Sequence, residues 1–256
     1  MLPRTEATRY VTPLREGGSL PGIVEAADLG TYVMKFTGAG QGPRVLVAEV
    51  VVAVVARAVG LRVPELSGLW LDPEIARYES DQEVQELLSA SVGLNLGVDF
   101  LPGAFGFDAR GDIDEEEAAT VVWLDAFVGN VDRSWKNPNL LVWHDRIWCI
   151  DHGATLYFHH SWPNGTGSPG RFAAQSYDVS EHVLVRFAAL VPKVDDRLAA
   201  AVTRDVLESA AADVPDEWLA AVPGAEDPDQ QRARYVDYLS ARVADRDAWL
   251  PGRDAS

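Results

Sequence analysis

Between Arg9 and Phe36 apolar and polar residues alternate in short runs separated by turn residues: RYVTPLRE, GGSLPG, IVEAA, DLG and TYVMKF. Successive side chains of a strand point to opposite faces, so this spacing predicts antiparallel strands joined by tight turns. In TYVMKF, Tyr32, Met34 and Phe36 fall on one face and Val33 and Lys35 on the other. After the turn GAGQGP comes VLVAEVVVAVVARAVG, a run with no internal turn signal that ends at Gly60. Its valine content would suit two buried strands, but its length favours a helix of about four turns with a glycine stop. VPELSGLWL reads as a further strand.

From Asp81 the period changes. DQEVQELLSAS and DEEEAATVVWLDAFVGN carry helical spacing, and Asp114 to Glu117 crowd the start of the second, where the helix dipole favours negative charge. The glycine-rich GLNLGVDFLPGAFGFDARGD lies between them as a connection. LLVWHDRIWCI reads as two short strands around a His144-Asp145-Arg146 turn. GATLYFHHSW is a strand or a loop, NGTGSPG a loop, and Ser180 to Ala212 and Asp229 to Leu250 are helical. The order is a β-rich first third with one helix, followed by a mostly helical remainder.

Composition narrows the setting. The 256 residues are 47% hydrophobic, and the longest purely apolar run, Val50 to Ala56, is too short to span a bilayer, which predicts a soluble protein with no membrane span. The start MLPRTEATRYV has no apolar signal-peptide core, and the single cysteine, Cys149, sits in the apolar run IWCI as a buried filler. A cytoplasmic location is the expectation. A formal charge of −17 makes nucleic acid a poor partner, since phosphate backbones select basic patches. Only three of the 22 basic residues are lysines, Lys35, Lys136 and Lys193, so a lysine here can mark a place where a compact charge on a flexible stem is needed.

Three features carry candidate chemistry. Glu49 lies in a helix that is apolar nearly all round, where a carboxylate needs a cation such as Lys35 unless it is solvated near the helix start. EGGSLPG, with Gly17, Gly18 and Ser19, is either a phosphate-cradling loop or an ordinary hairpin turn. In NVDRSWKNPNLLVWHDRIWCIDHG, Asp132 precedes Asn137 by five residues, and the hairpin returns Asp151 toward Asn137. One carboxylate to orient a hydroxyl, with a carboxamide and a second carboxylate to hold a divalent metal, suits phosphoryl transfer from a nucleotide. Taken singly, these residues would be turn formers and loop caps.

Together Lys35, Glu49, D-x-x-x-x-N and D-x-G stand in the order used by protein kinases. DRSWKN resembles the D-x-H-x-K-N catalytic loop of HipA-like kinases, and NPNLL followed by IDHG resembles the small stand-alone bacterial members of that superfamily. The likeness covers roughly Arg9 to His160. It implies a two-lobed, protein-kinase-like α+β fold: an N-lobe over residues 1–79 with an antiparallel sheet and one helix, and a mostly helical C-lobe over 80–256. It implies ATP and Mg2+ as cofactors and an unidentified hydroxyl-bearing acceptor, a protein or a small molecule. Lys35 would contact the nucleotide phosphates and pair with Glu49, Gly17, Gly18 and Ser19 would cover them, Asp132 would be the catalytic base, and Asn137 and Asp151 would hold the metal. The family histidine two residues after the aspartate is Ser134 here, Asn139 competes with Asn137 as ligand, and the chain is shorter than the persistence-toxin kinases, so neither a toxin role nor an antitoxin partner transfers. Two other readings stand beside it: a metal-dependent hydrolase built on His144, His152, His159 and His160 with Asp145 and Asp151, and a nucleotide-binding module without catalysis.

Overall fold

The computed structural model describes residues 1–15, 20–40, 42–77, 79–108, 111 and 113–252. The chain forms two compact units, residues 1–47 with 64–102 and residues 48–63 with 103–256.

In the first unit β1 (Arg4–Pro13), β2 (Gly22–Ala26), β3 (Thr31–Lys35), β4 (Leu66–Leu71) and β5 (Gly93–Asp99) are ordered β1-β2-β3-β5-β4. The predicted antiparallel hairpins form: Val24 pairs with Tyr32 and Tyr10 with Val24. The turn between β2 and β3 is closed by Asp28, whose Oδ1 accepts from the Gly30 amide at 2.9 Å. The sheet is not purely antiparallel, however. β4 pairs parallel with β1, Arg4 opposite Gly68, and closes the five strands into a barrel. Alternation fills the interior: Val24, Ala26, Met34, Phe36, Leu69 and Leu71 are buried inside.

The single helix expected with this sheet is replaced by more. α1 (Pro43–Ala58) begins in the first unit, and α2 (Pro73–Arg77) and α3 (Gln82–Ala90) follow β4, with Val84 and Leu88 of α3 packed into the barrel core. Asp81 caps α3 by accepting from the amides of Glu83 and Val84. The stretch beginning GLNLGVD, expected to be a connection, is β5, hydrogen-bonded between β3 and β4. Its glycines serve approach rather than flexibility: a Cβ at Gly97 would stand 2.7 Å from the Leu69 side chain. The first unit therefore runs on past Glu79, where the lobe boundary was expected, to residue 102. Asn95 of β5 is fully buried and satisfied, accepting from the Thr37 amide and hydroxyl and donating to the carbonyls of Ser91 and Gly93.

The second unit is mostly helical, as predicted. α1 stops at Gly60, whose φ of +88° suits a residue without Cβ. β6 (Phe105–Gly106), β7 (Leu140–Trp143) and β8 (Arg146–Cys149) form a small sheet, and α4 (Glu115–Val128) is buried from Ala118 to Val128. Asp114 caps α4 at one end and Gly129, at φ +68°, at the other. Residues Tyr157–Asn164, read as strand or loop, form a three-ten helix instead. α5 (Pro169–Ala173), α6 (Val191–Ala201), α7 (Arg204–Ala212) and α8 (Pro228–Ala244) complete the unit, with Trp123, Phe127 and Trp249 in mutual ring contact at 5.3–5.8 Å. Among the described residues no helix is long and apolar enough to cross a membrane.

Candidate active site

Gly129 ends α4 and the chain turns into the segment that carries Asp132. The Asn130 amide donates to the Asp125 carbonyl at 2.8 Å, and the Asn130 side chain accepts from the Asp132 amide at 3.0 Å, so Asp132 is set by a local turn before any ligand is considered. Its Oδ2 accepts from two carboxamides, Asn137 Nδ2 at 2.8 Å and Asn139 Nδ2 at 3.1 Å. Asp132 is half-buried, Asn137 exposed and Asn139 buried. Ser134 and Asn137 exchange backbone hydrogen bonds at 3.0 and 3.2 Å, which closes the loop between them.

Beneath this loop lies a charged network that sequence reasoning passed over. Asp125 is fully buried on α4, and its carboxylate accepts from Asn130 Nδ2 at 2.8 Å, Arg133 Nε at 2.6 Å and His182 Nε2 at 2.9 Å. His182 Nδ1 accepts from the Leu184 amide at 3.0 Å, which leaves Nε2 as the ring nitrogen that donates to Asp125. Burial alone would raise the Asp125 carboxyl, but the Arg133 guanidinium and the His182 bond outweigh it and hold it down to about 2. A signal for Asp125 existed in VVWLDAFV, a lone carboxylate in a run apolar on all sides.

Arg133 joins the loop to the hairpin. Its guanidinium bonds the Asn139 carbonyl, reaches the Ile150 carbonyl at 3.4 Å and meets His152 Nδ1 at 3.3 Å. The hairpin forms as predicted, with Leu140 opposite Cys149 and both His144 and Asp145 at positive φ, the geometry that two-residue hairpin turns favour. It brings the Ile150 amide to the Asn139 carbonyl at 3.0 Å, one residue before Asp151. Next in the chain, the His152 amide donates to Glu49 Oε2 at 3.0 Å, a bond that offsets the burial of Glu49, which is 3% exposed.

The remaining predicted residues fall as follows. Lys35 ends β3, on the face opposite Tyr32 and Met34. Gly17, Gly18 and Ser19 lie outside the described residues. Cys149 is buried, and that burial pushes its thiol up to about 12, as befits a filler. The histidines near one another in sequence are dispersed in their bonding: His159 contacts Tyr235 and His160, His152 contacts Arg133, and His144 sits in the hairpin turn. Among the described residues no group of three or more His, Cys, Asp or Glu side chains converges as a metal site. A cavity of about 360 Å³ adjoins the loop, lined by Val131 and Arg133 on either side of Asp132 in sequence and by Ser134, Tyr177, Glu181 and His182.

A family model described as HipA-like kinase matches residues 8–250. No curated protein matches the chain. Among solved structures, the Helicobacter pylori proinflammatory kinase CtkA superposes with a TM-score of 0.52 at 13% identity over 94% of this chain and 98% of that one, which shows a kinase-like α+β fold. The Golgi casein kinase aligns at 11% identity over 97% of this chain and 73% of its own, with a TM-score of 0.45. The same kinase with Mn/ADP bound aligns at 12% identity over 95% and 73%, with a TM-score of 0.44.

Proposed function

The chain belongs to the HipA-like kinase family, and we propose that it transfers the γ-phosphoryl group of ATP, with magnesium, to a hydroxyl of a protein serine or threonine or of a small molecule. As a kinase it is a phosphotransferase; the metal, the acceptor and the residue roles are the proposal. The observation that carries them is the pair of carboxamides on one oxygen of Asp132, in a loop bonded directly to the segment that presents Asp151.

Asp132 orients the acceptor hydroxyl and accepts its proton as the phosphorus–oxygen bond forms. Asn137 and Asp151 fit a magnesium ion in kind, since both offer hard oxygen donors and Asn137 is exposed enough to leave room for water and phosphate ligands. That ion, when bound, supplies charge that offsets the negative phosphate oxygens. Lys35 and Glu49 are assigned to the nucleotide-phosphate machinery, together with Gly17, Gly18 and Ser19.

Two measurements test this reading. Purified protein should be stabilised against heat by ATP and magnesium together, and Asp151→Ala should remove that stabilisation; zinc or manganese acting without nucleotide would favour a hydrolase. Asp132→Asn should lower phosphate transfer about 1,000-fold with the melting temperature nearly unchanged. A folded variant that transfers phosphate at the native rate would sink the assignment of Asp132, and nucleotide binding without transfer in the native chain would favour the non-catalytic module.

A further inference from the structure

Asn137 and Asn139 are both plausible metal ligands by residue type, yet the structure treats them differently. A carboxylate has no hydrogen to give, so two carboxamides in contact with Asp132 Oδ2 must both present Nδ2 to it, as the 2.8 and 3.1 Å contacts have it. Asn137 does so from an exposed turn closed on Ser134. Asn139 does so from a buried position, 8% exposed, with φ at +48°. Its carbonyl is bonded by the Ile150 amide at 3.0 Å and by the Arg133 guanidinium. The main chain of Asn139 is thus fastened to Ile150, which follows β8 and precedes Asp151, and its side chain to Asp132. Among the described residues Asp132 Oδ1 accepts no hydrogen bond, so the two carboxylate oxygens are already distinguished.

We propose that Asn139 is a positioning residue and not a metal ligand: its carboxamide holds Asp132 by Oδ2, leaving Oδ1 to the acceptor hydroxyl, and Asn137 is the asparagine that gives an oxygen to the metal. The inference rests on the kinase reading above. It makes Asn139 the mechanical link by which the position of the Asp151 segment sets the rotamer of Asp132, a role for which burial and a fixed backbone are assets. An ion that retains water and phosphate needs an accessible ligand, and Asn139 is buried where Asn137 is exposed.

The test compares Asn139→Gly, Asn139→Asp and Asn137→Ala in the full chain, with folding checked by thermal melting. Glycine adopts φ near +48° without steric cost, so Asn139→Gly removes the carboxamide alone. Aspartate keeps the shape and tolerates the same backbone, but it has no hydrogen for Oδ2 and sets a like charge against it. Two measurements are made: kcat and KM for ATP in phosphate transfer, and the affinity for Mn2+ in the presence of ADP by electron paramagnetic resonance. Both Asn139 variants should lose about 10- to 100-fold in kcat, with the KM for ATP and the Mn2+ affinity within about twofold of native. Asn137→Ala should weaken Mn2+ about tenfold or more. Native kcat in Asn139→Asp would show that shape alone matters and overturn the proposal. So would loss of Mn2+ affinity in Asn139→Gly with retention in Asn137→Ala. A native chain that neither binds Mn2+ with ADP nor transfers phosphate would overturn the kinase reading itself, and the native control separates that failure from the other two.

Discussion

The barrel of the first unit and the loop region of the second bury opposite kinds of group. Inside the barrel Val24, Met34, Leu69 and Leu71 are at or near zero exposure and meet other hydrocarbon, with Asn95 a satisfied exception at one end. Beneath the loop Asp125, Arg133 and His182 are equally buried and meet each other. Apolar packing fixes volume and tolerates rearrangement, because dispersion and burial have little direction. Charge-assisted hydrogen bonds fix direction, and a carboxylate with three donors around it determines the course of the backbone at Asn130, Arg133 and His182 together. The contrast teaches where this chain needs a container and where it needs a jig.

The largest expected effect comes from breaking the jig. Asp125→Ala leaves the Arg133 charge buried without its carboxylate and removes the acceptor of Asn130 and His182, which should cost about 3–5 kcal/mol in urea unfolding of the second unit. It should also lower phosphate transfer in the protein that remains folded. A variant with native stability would erase the distinction between the two regions. Breaking the container should cost somewhat less: Met34→Ala removes a side chain at 0% exposure and should cost about 2–4 kcal/mol, whereas Met34→Leu, which conserves volume, should cost under about 1.5.

Acid sharpens the comparison with the smallest effect. The Asp125 carboxyl is held near 2 against an ordinary 3.8, so its contribution is in place above the ordinary value and is lost as pH falls through the folded one. Unfolding followed at pH 5, 3 and 2 should show about 2 kcal/mol of stability disappearing across that window. Asp125→Ala should lack that component, and an identical acid dependence in both proteins would assign it to other carboxylates.

Much of the site was legible because its signals are local. The alternation in TYVMKF placed Met34 inward and Lys35 on the opposite face, and the hairpin around His144 formed with Leu140 opposite Cys149 and the Ile150 amide on the Asn139 carbonyl. What escaped depends on partners far along the chain. β5 disguised itself with glycines that the barrel needs for close approach, although Leu94, Leu96 and Val98 kept a strand period. Closure through the parallel pairing of Arg4 with Gly68 leaves no mark in either strand alone. The partnership of Asp125 with His182 spans 57 residues, yet the reasoning that made Glu49 conspicuous would have singled out Asp125 in its apolar helix. Asn137 and Asn139 could be separated only once burial and backbone were known.

The positive φ of Asn139, +48°, and of Asp151, +55°, bears on how this site can drift in evolution. In that backbone region glycine, asparagine and aspartate are admitted at little cost, and β-branched residues are strongly disfavoured. The mutational alphabet at both positions is therefore short before chemistry is considered, and asparagine and aspartate, the residues present, are among its favoured letters. Under the proposed roles, backbone conformation and reaction would favour the same few residues at both positions.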